Sequence, residues 1–150
     1  MNQEQRIISA MIHDRKAFDD VAGYVDTAQD FSDGAAIVVT YIVEYYKNDE
    51  YAESIDKAFL LDQIRTAYPK QYASLRPVVD DLKSVSIPNV IDEYRGLKLS
   101  RCKQFLAQAL LGGDEKEQEK WLEKLTAYTD SMGSDDEGSI YINADIDAVL

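Results

Sequence analysis

The stretch IPNVIDEYRGLKLSRCKQFLAQAL, residues 87–110, constrains this chain more than any other. It has no proline after Pro88 and no turn signal until Gly112-Gly113, so it reads as one helix over residues 88 to 111. A helix of about 24 residues spans roughly 36 Å, more than a small head needs. Leu99, Cys102, Leu106 and Ala109 recur at spacings of three and four, widened by Phe105 and Leu110, while Arg95, Lys98, Arg101 and Lys103 occupy other faces. The glycine pair ends the helix, and DEKEQEKWLEKLTAYT restarts at once with Asp114 as cap and acids in its first turn. Trp121, Leu122, Leu125 and Tyr128 form the second apolar stripe, and two helices so tightly joined fold back as an antiparallel hairpin.

The 86 residues before the hairpin read as a compact all-α head of five short helices. Ile7, Ile8, Met11 and Ile12 mark the first, ending near His13-Asp14; Asp14 caps a second that stops by Gly23. The third, with Asp33 as cap, is the most apolar; its Ile37-Val38-Val39 and Tyr41-Ile42-Val43 runs suit a strand, but about fifteen residues without a turn favour a helix. A fourth opens at Ser54, buries Leu60, Leu61 and Ile64, and stops before Pro69. The fifth carries Leu75, Val78, Val79 and Leu82, with Pro77 either in a first turn or at a kink. The expected division is a head over 1–86, a hairpin over 87–129, and from 130 to 150 an acidic linker, SMGSDDEG, followed by SIYINADIDAVL, an apolar ending that looks like the first element of a further segment.

With 28 Asp and Glu against 16 Lys and Arg, the chain has a net charge of -12, which argues against a domain that grips nucleic acid by its phosphates. No apolar run is long enough to cross a bilayer, MNQEQRII is no signal peptide, and a single cysteine forms no internal disulfide, so the expected location is the cytoplasm. Chemical motifs are missing: there is no GxxxxGK[ST] loop, no GxGxxG, no HExxH and no GxSxG. With His13 alone no imidazole pair can share a metal, the paired acids Asp19-Asp20, Asp80-Asp81 and Asp135-Asp136 read as solvated faces, and Cys102 reads as a packed thiol. No catalytic, cofactor-binding or metal residue is expected. Of the ten tyrosines, Tyr41, Tyr45 and Tyr46 share one helix and serve either the core or a contact surface.

The order of parts resembles the N-terminal domain of replicative DNA helicases of the DnaB type, including their phage relatives. The resemblance runs through EQRIISAMIHDRKAFDDVAGYV with its Glu4-Gln5 pair, Asp30-Phe31 followed by Ile37 to Tyr46, IDKAFLLDQI, and above all Asn89-Val90, Tyr94 and Arg101 at the start of the long helix. It covers residues 3 to 111; the histidine usual in the family's third helix is missing. The resemblance implies a non-enzymatic collar domain of a hexameric helicase, often a trimer of dimers, where primase or a helicase loader docks, in a bacterial cell, possibly one infected by phage. ATP and Mg belong to a motor domain outside these residues, and this segment itself needs no cofactor. The isolated segment is expected as a dimer.

A hairpin alone cannot bury two apolar stripes against itself, so Leu99, Phe105, Leu106, Trp121 and Leu125 are the candidates for self-association, and Phe105→Ala or Trp121→Ala is expected to weaken it while the head keeps its helicity. Arg95, Lys98, Arg101 and Lys103 are the candidates for any nucleic-acid contact, although basic residues on a long helix are usually its solvated face. The competing reading is a stand-alone helical adaptor, or an inhibitor that binds another replication protein.

Overall fold

The computed structural model describes residues 2–85 and 87–133, and every regular element among them is helical. The chain divides into two compact units, residues 1–93 and 94–150. The division falls seven residues later than the sequence suggests, because the first turn of the long helix belongs with the head: Arg6 pairs with Glu93 at 3.0 Å, and Gln3 Nε2 donates to the Glu93 carbonyl at 3.4 Å.

The head begins with α1 (Gln3–His13), closed by a capping box in which Asn2 Oδ1 accepts from the Gln5 amide at 2.8 Å and Gln5 Oε1 accepts from the Asn2 amide at 3.1 Å. The Glu4-Gln5 pair is therefore accounted for partly by local helix initiation. Asp14 caps α2 (Arg15–Val21), as its position implies, and a 3-10 turn at Ala22–Tyr24 ends it. A four-residue helix, α3 (Thr27–Asp30), was not expected, since one turn has no periodicity to detect; Asp26 caps it, and the buried Asp30 carboxylate accepts from the Asp26 amide. Among its described residues the head thus has six α-helices rather than five.

In α4 (Asp33–Asn48) length does prevail over β-branching. Its N-cap is Ser32, not Asp33, and the capping group comes from a distant part of the chain: Glu4 accepts from the Ser32 amide at 2.7 Å and from its hydroxyl at 2.9 Å. A carboxylate at a helix N-terminus suits the dipole. The fourth expected helix starts later than Ser54: α5 (Lys57–Ala67) is capped by Asp56, whose side chain accepts from the Ala58 amide. α6 (Pro69–Asp80) uses Pro69 as its first residue, where the missing N–H is harmless, and Pro77 falls in its body, not its first turn. Lys57 Nζ donates to the carbonyls of Val79, Asp80 and Leu82, satisfying the end of α6 with a cation.

α4 packs on α1, α3 and α5, and α5 on α6. Ile7, Met11 and Ile12, Val39 and Ile42, Leu60 and Ile64, and Val79 are fully removed from solvent. Each comes from the helical spacing that marked it as apolar. Of the three tyrosines on α4, Tyr46 is core, while Tyr41 and Tyr45 are half-buried and meet Tyr68 and Phe59 edge to face.

The second unit contains the hairpin formed by α7 (Val90–Gly112), from Tyr94 onward, and α8 (Glu115–Gly133). Asn89 starts α7 by accepting from the Asp92 amide at 3.2 Å, and Val90 and Tyr94 are buried, so the Asn-Val-Tyr pattern has a capping and packing explanation. α8 continues through Gly133, so the expected linker cannot begin at 130. The remainder of the linker and the apolar ending lie outside the described residues.

Candidate self-association surface

The turn of the hairpin is built from named hydrogen bonds. Gly113 takes φ 70°, its amide donates to the Leu110 carbonyl, and the Asp114 amide donates to the Ala109 carbonyl at 3.1 Å, the pairing of a Schellman motif. Asp114 then caps α8 by accepting from the Glu117 amide. Phe105 and Trp121, equidistant from Gly113, stack at 4.6 Å between centroids with 20° between planes. Lys98 and Tyr128, again equidistant from Gly113, meet at 4.7 Å. These matched offsets define the antiparallel register.

Of the five candidate association residues, Phe105 and Trp121 are brought together by the hairpin itself. Trp121 is buried and its Nε1 donates to Glu117 at 3.2 Å; Lys120 and Lys124 lie 4.9 and 5.0 Å from its ring, and Arg101 5.1 Å from that of Phe105. Leu99, Leu106 and Leu125 are half-buried. Cys102 and Ala109 of the expected stripe on α7 are buried, with Tyr94 and Leu97 further back, but at its N-terminal end Lys98 lies inside where Leu99 was expected. The reason is chemical, because the lysine stem packs as an aliphatic chain while its ammonium sits 5.6 Å from the Tyr94 ring and 4.7 Å from that of Tyr128.

This placement corrects the picture of four solvated cations. Lys98 is buried, Arg95 and Arg101 are half-buried, and Arg101 donates to Gln104 at 3.1 Å; of the four only Lys103 is exposed. At 100° per residue they span an arc of about 200° on α7, which is no row for tracking phosphates. Both units are acidic in sequence: residues 1–93 hold nine basic and seventeen acidic residues, a net charge of -8, and residues 94–150 hold seven basic and eleven acidic, a net charge of -4.

Among the described residues, the large apolar side chains left in water on the hairpin are Leu110 (58% exposed), Leu111 (90%) and Leu122 (55%). Leu110 and Leu122 were expected on the inward stripes and are not. Leu111 was not singled out, yet the sequence carries the signal: nine residues beyond Cys102 it lies about 180° round the helix, facing away from the seam. Among the described residues no cluster of His, Cys, Asp or Glu could hold a metal ion, and no helix is long and apolar enough to cross a membrane. Set against protein-family models, curated proteins and solved structures, the chain matches none.

Proposed function

We propose that this chain is the collar domain of a hexameric replicative DNA helicase of the DnaB type, bacterial or phage-encoded. It holds neighbouring subunits together and offers a docking surface to primase or a helicase loader, while ATP and Mg are handled by a motor that these residues do not contain. The observation that carries the reading is a helical head followed by an antiparallel hairpin whose closing turn leaves Leu110 and Leu111 in water. Leu110 and Leu111 adjoin in the chain, and it is contiguous exposed apolar surface, rather than scattered residues, that marks a protein contact.

Sedimentation velocity of the purified chain over a wide concentration range tests the assembly role. Dimers or larger species that grow with concentration are expected; a monomer throughout would overturn it. The second reading, a free-standing adaptor or helicase inhibitor, is favoured by Tyr51 and Phe59, which stand 85% and 52% exposed on the acidic head. The reading frame beyond the codon for Leu150 separates the two. Continuation into a motor with a GxxxxGK[ST] loop selects the collar, and a stop codon selects the adaptor.

A further inference from the structure

The seam between α4 and α5 carries a run of four aromatic rings. Tyr41 and Tyr45 stand one turn apart on α4; Tyr45 meets Phe59 at 5.8 Å between centroids, and Tyr41 meets Tyr68, the N-cap of α6, at 6.4 Å. The rings stay partly in water, Phe59 52% exposed, Tyr68 38%, and Tyr41 and Tyr45 half-buried. At the Tyr45–Phe59 end, the loop over residues 49–56 is pinned to the head. The Arg15 guanidinium donates to the Asp49 and Ala52 carbonyls at 2.7 and 3.1 Å, the Arg15 amide to the Glu53 carbonyl at 2.8 Å, and the Ile55 amide to the Ile12 carbonyl at 2.7 Å. This tethered loop displays Tyr51 at 85% exposure. Its backbone is ordered in advance, which lowers the cost of using that ring to bind.

Charge decides what such a surface takes. Residues 44–56 hold five acids, Glu44, Asp49, Glu50, Glu53 and Asp56, against one base, Lys47. The sign does not depend on where the count stops, since residues 1–93 carry -8 and the whole chain -12. The bases nearby are turned away or engaged: Lys47 lies about 200° round α4 from Tyr45, Arg15 is held by the loop carbonyls and Asp19, Lys57 by the end of α6, and Arg65 by Asp62. Lys70 stands two residues past Tyr68, at the other end of the run. Glu44, on the stripe of Tyr41 and Tyr45, is exposed and has no ion pair among the described residues. Other rings of the chain have a cation of their own, Arg15 at 5.1 Å from Tyr46, Arg101 at 5.1 Å from Phe105 and Lys120 at 4.9 Å from Trp121. Among the described residues none sits on Tyr45 or Phe59.

We propose that Tyr45, Tyr51 and Phe59, with Glu44 and the acidic loop, receive an arginine-bearing basic segment of another protein. The inference rests on the docking role above and names the chemistry of what docks. A second copy of this chain is excluded as occupant because both its units are acidic, and a phosphate backbone is excluded by the same sign. Arginine fits better than lysine, because its planar guanidinium stacks on a ring while pairing with a carboxylate beside it.

The probes are dye-labelled octa-arginine and octa-lysine, titrated at low salt with the full 150-residue chain and followed by fluorescence anisotropy. The parent is expected to bind octa-arginine about threefold or more tighter than octa-lysine. Phe59→Leu and Tyr51→Leu leave the net charge unchanged, and each is expected to weaken octa-arginine binding about threefold, with unchanged helicity by circular dichroism. Should Phe59→Leu lose helicity, Tyr51→Leu, on the exposed loop, carries the ring test. Glu44→Gln and Asp81→Asn each remove one exposed carboxylate, and Glu44→Gln is expected to cost more affinity. Equal affinity for the two peptides, or ring variants that match the parent, overturn the site. Glu44→Gln no weaker than Asp81→Asn means attraction by net charge alone and overturns it as well. No binding of either peptide also overturns it, while the collar role is still decided by sedimentation and the downstream reading frame. A monomeric chain that binds the peptides as expected removes the assembly role and keeps this contact.

Discussion

Tyr46 joins three parts of the head through one side chain. Its hydroxyl donates to the Met11 carbonyl at 2.5 Å, its ring lies 4.7 Å from that of Phe18, and the Arg15 guanidinium sits 5.1 Å from its centroid while donating to the Asp49 and Ala52 carbonyls. Burial raises the phenol's pKa well above its ordinary value, an effect that the Arg15 charge partly opposes. An acid whose pKa is higher folded than unfolded holds its proton longer when folded. Its stabilising contribution is complete below the unfolded value of about 10 and is lost as pH rises through and beyond it. Tyr46→Phe keeps the ring and removes the donor, so urea denaturation at pH 7 is expected to show a loss of about 1–3 kcal/mol. The variant's stability should also fall less steeply than the parent's between pH 9 and 11. An unchanged slope there would mean that Tyr46 is not the group responsible.

Among the elements, the hairpin is held by its turn and by one aromatic stack. Gly113 has the positive φ that a residue with a Cβ adopts only under strain, and it follows the last turn of α7, so the turn is specified by composition. The Phe105–Trp121 pair then fixes the register. Truncating Phe105 to Ala leaves Trp121 without its stacking partner; because Phe105 is only half-buried the expected cost to the hairpin is about 2 kcal/mol. Trp121 is the chain's only tryptophan, so its fluorescence reads the hairpin directly, with a red shift and an earlier unfolding transition expected. Emission and midpoint equal to the parent's would show that the stack does not hold the register.

For the whole molecule, the distribution of charge matters more than its total. The net charge of -12 includes a head at -8, and the cations of α7 do not line up for a phosphate backbone, with Lys98 enclosed by two tyrosines. Affinity for single-stranded DNA rises steeply as salt falls wherever several cations neutralise phosphates. Fluorescence anisotropy with a labelled single strand at low salt is expected to show no binding by this chain. A steep salt-dependent isotherm would mean that Arg95, Arg101 and Lys103 work together as a nucleic-acid contact.

What the sequence determined by itself is what local rules can carry. The all-helical class, the break before Pro69, the caps at Asp14 and Asp114, and the reversal at Gly112-Gly113 all follow from short-range sterics and hydrogen bonding, and the structure has each of them. Tertiary structure decided the matters that depend on residues far apart. Glu4 caps α4 from 28 positions away, and Lys57 closes the end of α6 from more than twenty. At 100° per residue, Lys98 and Leu99 lie on adjoining edges of the same stripe, and spacing alone favours the leucine. The two tyrosine rings beside Lys98 reverse that order.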